Sequence, residues 1–225
     1  MRKKIIFSLI FILLLVIIAG GFFWWQIDEI ERFLERRVME RMVAPSKDYA
    51  VVEELGEKFI VNRKDGFQAK IPSEWEVLLG DNGEILESDR EVTLYSKEFS
   101  YRPPKGCLIN IQINRAKRMP VKEYDGDIVM FPFEGVEDVK EEINTYKKAM
   151  LQEKEKMKER WARPEIIFVD QKETLRETII LSKNIGKFIT IKAPTDNRLY
   201  IFRNIQFSEY CDEELQQFLE TVSIK

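Results

Sequence analysis

Residues 107–114 read Cys-Leu-Ile-Asn-Ile-Gln-Ile-Asn, and their strict alternation is the strongest secondary-structure signal in the chain. Side chains of a strand point to opposite faces in turn. The pattern therefore predicts a strand with Cys107, Ile109, Ile111 and Ile113 on a core face and Leu108, Asn110, Gln112 and Asn114 on the other. Antiparallel sheets commonly turn one face to water, so the second face is expected to be wet. Amides offer donors and acceptors together, which makes Asn110, Gln112 and Asn114 a candidate contact surface for a polar partner. The competing reading is an ordinary solvated sheet face, or one lying under a polar loop.

Working outward, short strands dominate. Lys58 to Arg63 and Phe67 to Ile71 flank Lys64-Asp65-Gly66, a hairpin signal because glycine takes up positive φ at low cost. Pro72 ends the second strand, and Trp75 beyond it, with apolar residues on either side, reads as a core plug. Gly80 to Gly83 is a turn, Glu91 to Tyr95 a strand and Arg102 to Gly106 a loop. A helix is predicted from Val136 to Trp161 on an apolar stripe through Val139, Ile143, Tyr146 and Met150, closed by Arg163-Pro164. Glu165–Asp170, Leu175–Leu181, Lys187–Lys192 and Leu199–Phe207 read as strands, followed by a helix capped by Asp212 and running through Leu219. This order predicts an α+β domain with a mainly antiparallel sheet.

Ahead of the domain, Ile5 to Trp25 is an apolar run without charge, preceded by Arg2, Lys3 and Lys4. As a helix it would cover about 30 Å, the thickness of a bilayer core, and the basic residues would hold the N-terminus on the cytoplasmic side. The expectation is a single-pass membrane anchor with everything after it outside the cytoplasm, against the rival of a cleaved signal peptide. Ile27, Ile30, Leu34, Val38 and Met42 give residues 26–43 a narrow helical stripe, read as a juxtamembrane stalk or a weak self-association seam. The expected division is a tip at 1–4, a transmembrane helix at 5–25, a stalk at 26–45 and one domain at 46–225.

Composition narrows the chemistry. The chain has no histidine, which removes Ser-His-Asp and Cys-His nucleophiles, zincin helices and His-ligated metals. No metal or cofactor site is expected. The formal net charge is −3, no polybasic stripe is present, and nucleic acid is not an expected partner. With 39 acidic residues a carboxylate pair for hydrolysis could arise almost anywhere, so an envelope hydrolase stays open as the alternative function. The two cysteines, Cys107 and Cys211, are too far apart for a Cys-x-x-Cys motif. They read equally as a disulfide or as two separately buried thiols.

The segment Asp65-Gly66-Phe67-Gln68-Ala69-Lys70-Ile71-Pro72-Ser73-Glu74-Trp75 resembles the opening of PsbP-like domains. Gly106-Cys107-Leu108-Ile109-Asn110-Ile111 is similar to their central strand, and Tyr200-Ile201-Phe202 through Leu219-Glu220-Thr221-Val222-Ser223-Ile224 to their closing strand, helix and short strand. The resemblance implies an α/β/α sandwich around an antiparallel sheet, used mostly for protein contacts. Photosynthetic members bind a membrane complex, and many bacterial relatives are envelope proteins. Metal sites of the photosynthetic proteins need histidine, so none is carried over. The function expected is a non-catalytic, membrane-anchored, extracytoplasmic module binding a protein or another envelope component.

Overall fold

The strand predicted at Cys107–Asn114 forms in the computed structural model, as an inner strand of a seven-stranded sheet. The structure describes residues 20–21, 30, 41–79, 91–118, 122–124, 127–129, 134–152, 162–182 and 186–225. The chain divides into two units, Met1–Arg41 and Met42–Lys225. In the first, the four described residues, Gly20, Gly21, Ile30 and Arg41, are helical.

The second unit begins with a 3-10 turn at Ser46–Asp48. Five strands follow to the first long hairpins: β1 (Ala50–Glu54), β2 (Glu57–Asn62), β3 (Phe67–Lys70), β4 (Trp75–Leu79) and β5 (Val92–Ser96). A small hairpin, β6 (Ser100–Tyr101) and β7 (Pro104–Lys105), leads into β8 (Cys107–Asn114), and β9 (Lys122–Tyr124) pairs with β10 (Asp127–Val129). Helix α1 (Val136–Gln152) precedes the meander β11 (Ala162–Val169), β12 (Lys172–Ser182), β13 (Gly186–Pro194) and β14 (Leu199–Gln206). Helix α2 (Cys211–Glu220) and β15 (Ser223–Ile224) close the chain.

The large sheet has the order β11-β12-β13-β14-β8-β5-β4 and is antiparallel at every junction. Register decides its faces. Tyr200 opposes Ile113 and Phe202 opposes Ile111, so the isoleucines of β8 continue into the aromatics of β14 on one face. That face packs on a second sheet, β1-β2-β3-β15, through Ile60, Phe67, Ala69 and Ile224, and on α2 through Leu215, Phe218 and Leu219. Phe67, Phe202 and Phe218 form a continuous aromatic run, with centroids 6.1 and 5.8 Å apart. On the opposite face α1 lays Val136, Val139 and Ile143 against Leu175, Leu199 and Ile201.

This corrects the expected fold class. Fifteen strands and two α-helices make up the described residues, and the layer opposite α1 is largely a second sheet, not a layer of helices. The arrangement is a sheet-dominated sandwich and not the α/β/α sandwich expected. The transmembrane helix expected at Ile5–Trp25 lies outside the described residues except for Gly20 and Gly21, and no described helix is long and apolar enough to cross a membrane. The stalk at 26–43 lies outside them as well, apart from Ile30 and 41–43, as do the turn at 80–83 and the end of the helix beyond Gln152.

Two boundaries also move. Arg163 and Pro164, expected to stop a helix, lie inside β11. β11 is an edge strand, where a missing N–H costs no ladder bond, and the Pro164 carbonyl accepts the Tyr146 hydroxyl. Helix α2 begins at Cys211 with Tyr210 at the cap position and no side-chain cap, so Asp212 sits in the first turn, where its charge favours the helix dipole.

Trp75, Ile109, Ile111 and Ile113 all belong to the core between the two sheets. Trp75 is 8% exposed at its rim. Trp75→Ala is expected to cost about 3 kcal/mol in urea unfolding, through the cavity left under β3 and β5. An unchanged transition midpoint would remove it from the core.

Candidate functional site

The cysteines are joined. Cys107, the first residue of β8, is bonded to Cys211, the first residue of α2, with Cα atoms 5.6 Å apart. Both are fully buried. The bridge fastens the closing helix to β8, an inner strand of the large sheet.

The amide row on the far face of β8 is not open to solvent, and the expected contact surface is corrected on that ground. Asn110 is 5% exposed, and Gln112 and Asn114 are fully buried. Their polar atoms are matched from neighbouring strands and from the segment leading into α1. The Thr93 hydroxyl donates to Asn110 Oδ1 at 2.9 Å. Gln112 Nε2 donates to Asn114 Oδ1 at 2.7 Å, and Gln112 Oε1 accepts Arg203 Nη1 at 2.8 Å. Asn114 Nδ2 donates to the Glu134 carbonyl at 2.7 Å. Arg203 is held in turn by Glu91. Partnered amides can be buried at little net cost, which unpartnered ones cannot. The row is an internal network and offers nothing to an outside ligand.

Among the described residues, the same face carries a cluster that resembles acid–base machinery. Lys192 of β13 places its ammonium 2.9 Å from Glu134, 3.1 Å from Glu177 and 3.3 Å from Glu142. Burial raises the Glu142 carboxyl above its ordinary value; Lys192 pulls it down, and Glu177 and Glu134 push it further up. Lys192 itself is held charged, since the three carboxylates outweigh the cost of burying it. A hydrolase needs two carboxylates facing a cleft with room for substrate and water. Here the space between them is filled by Lys192, and the grooves at 140–144 with 194–197, at 167–171 with 216–222 and at 56–58 with 70–76 are lined by other residues. Among the described residues no group of His, Cys, Asp or Glu is arranged to hold a metal ion.

No protein-family model matches the chain, and no curated protein matches it. Among solved structures it is similar to the solution structure of cyanobacterial PsbP (CyanoP) from Synechocystis sp. PCC 6803. The two are 10% identical, the match covers 79% of this chain and 93% of that one, and the TM-score is 0.36. A likeness so distant transfers neither family nor function.

What sequence reasoning missed lies at the other side of the large sheet. β12 is the longest strand, and its far end exposes apolar residues on both faces: Ile179 and, next to it, Ile180, which is 51% exposed. Phe168 of the edge strand β11, 68% exposed, lies at the other end of the hairpin, across from Glu173, whereas Ile179 is across from Ala162. In sequence these residues belong to ordinary strand-like runs. Only the fold shows that Ile179 and Ile180 are exposed.

Proposed function

We propose that the domain is a non-catalytic extracytoplasmic interaction module, and that its contact surface is the outer part of the large sheet around Ile179 and Ile180. The observation that carries this reading is their exposure. Ile179 and Ile180 expose large apolar side chains on both faces of β12, and exposed apolar patches mark contact sites. Position outside the cytoplasm is supported by the Cys107–Cys211 bridge, because such bonds persist in oxidising compartments. The ammonium of Lys192 sits between Glu134, Glu142 and Glu177, which favours binding over hydrolysis. The partner is a protein or another envelope component.

The test is photo-cross-linking in the native cells, with a benzophenone side chain at Ile180 and, as control, at exposed Glu209. Discrete adducts from position 180 alone, lost on adding Ile179→Lys, are expected. Equal adducts from both positions, or none, would overturn the reading.

A further inference from the structure

β11 is an outer edge of the large sheet, and its two halves are unlike. A free edge presents N–H and C=O groups that invite another strand, and proteins guard such edges with charge, proline or brevity. The first half of β11 is guarded. Pro164 has no N–H to offer, its carbonyl is taken by the Tyr146 hydroxyl, and the Glu165 side chain is exposed. The second half, Ile166-Ile167-Phe168-Val169, carries no charge and no proline. The other sheet edges are guarded too, by Glu76 within β4, by Glu53 and Glu54 on β1, and by the brevity of β15.

Pro164 also fixes which groups of β11 are free. Its carbonyl points away from β12, to Tyr146 of α1. Alternate residues of an antiparallel strand turn their main chain the same way, so the N–H and C=O of Ile166 and Phe168 face outward, while Glu165 and Ile167 bond to β12. Among the described residues nothing bonds to those outward groups. Beside them the Phe168 ring stands 68% exposed, and a groove of about 500 Å³ opens next to Ile167, between the β11–β12 hairpin and α2.

These groups take an extended chain, which offers donors and acceptors at the same spacing. A second copy of β11 matches them residue for residue. Set antiparallel, Ile166 of one copy opposes Phe168 of the other, and the two exchange N–H···O bonds in both directions. The two-fold axis repeats that pair, and Ile167 faces its own equivalent between them. Every outward group of Ile166 and Phe168 is then used, and Pro164 lies outside the ladder. The charge that commonly keeps two copies of an edge apart is missing from this stretch. Each exposed Phe168 ring gains Ile166 of the other copy as cross-strand neighbour, a favourable aromatic and β-branched pair.

We propose that this chain forms a two-fold dimer by antiparallel pairing of Ile166–Phe168 across the β11 edge, joining the two large sheets into one. Ile179 stands across from Ala162 at the opposite end of the hairpin, so this contact and the one around Ile179 and Ile180 are independent.

The test is sedimentation equilibrium of the full chain in detergent micelles, over a range of concentrations. Wild type is expected to dimerise reversibly. Phe168→Lys should weaken the dimer about 10-fold or more, since two cross-strand pairs are lost and two ammonium groups approach the axis. Phe168→Glu should weaken it as well, and an equimolar mixture of the two variants should recover it. Both should keep the wild-type melting temperature in dilute solution, because Phe168 is exposed. Ile166→Pro should also weaken the dimer, since it removes an outward N–H and leaves the bonds to β12 intact. A wild type that is monomeric throughout would overturn the proposal, and so would association that continues beyond the dimer. A dimer indifferent to Phe168→Lys would place self-association on another surface. One sensitive to Phe168→Lys but not to Ile166→Pro would be an apolar contact without strand pairing, and would equally overturn it.

Discussion

Replacing Cys107 and Cys211 together by alanine is expected to cost about 4–5 kcal/mol of stability, because the bridge closes a loop of 104 residues and the unfolded chain regains that freedom. The loop holds β8, α1 and the whole β11–β14 meander, so most of the large sheet folds inside it. Its native-state role is equally specific. Helix α2 has no side-chain cap, and it meets the sheet through Leu215, Phe218 and Leu219. The bridge at its first residue fixes where that apolar stripe lands. Urea unfolding of the double variant against the oxidised wild type measures the effect. A steeper dependence on denaturant in the variant would show the larger surface that an uncrosslinked unfolded state exposes. A difference below about 1 kcal/mol would mean that the unfolded chain keeps these segments together without the bond.

The elements legible in the sequence were those whose signal is local. Alternation placed β8 and most of β14, and Asp65-Gly66 placed the β2–β3 hairpin, because side-chain period and glycine's positive φ act within a few residues. What escaped depends on partners remote in sequence. Period two separates the faces of β8 but says nothing of what covers them. Asn110, Gln112 and Asn114 read as wet, and they are buried because Thr93, Arg203 and Glu134 reach them. Pro164 reads as a helix stop, and an outer edge makes it harmless in a strand. β1 has no clean alternation, and it is a strand because a two-residue turn folds it back on β2. The β2–β3 hairpin is legible, but only β1 and β15 make it a second sheet, where the resemblance to PsbP-like domains implied an α/β/α sandwich. The candidate surface was less legible still, since exposure of Ile179 and Ile180 is a property of packing and not of residue type.

The turn that marks the β2–β3 hairpin also carries the most consequential charge in the domain. Asp65 has no exposed side-chain surface. Its Oδ1 accepts Arg115 Nε and Arg198 Nε, each at 2.8 Å, and its Oδ2 accepts Arg115 Nη2 at 2.5 Å. Asp48 takes a further bond from Arg115, and the Tyr200 hydroxyl closes the site by donating to the Asp65 backbone carbonyl. Burial alone would push the Asp65 carboxyl up, but the hydrogen bonds and charges of Arg115 and Arg198 outweigh it and hold it below the ordinary 3.8. Asp48 is lowered in the same way, its burial outweighed by Arg115 and Lys64. A carboxyl lowered by folding adds stability that is complete above its unfolded value and is lost as pH falls through its folded one. The domain should therefore hold its stability down to about pH 5, weaken as pH falls through 3.8, and lose this contribution entirely in stronger acid. Asp65→Ala should cost about 4–5 kcal/mol near neutral pH, since it leaves the Arg115 guanidinium, 8% exposed, without its principal counter-charge. Asp65→Asn should cost less, because the amide oxygen still accepts one bond, and should flatten the acid limb of the stability curve. Urea titrations at about pH 7 and about pH 3 decide it: the gap between wild type and Asp65→Asn must shrink on acidification. A gap that stays constant would mean that Asp65 stabilises the turn through its shape and not through its charge.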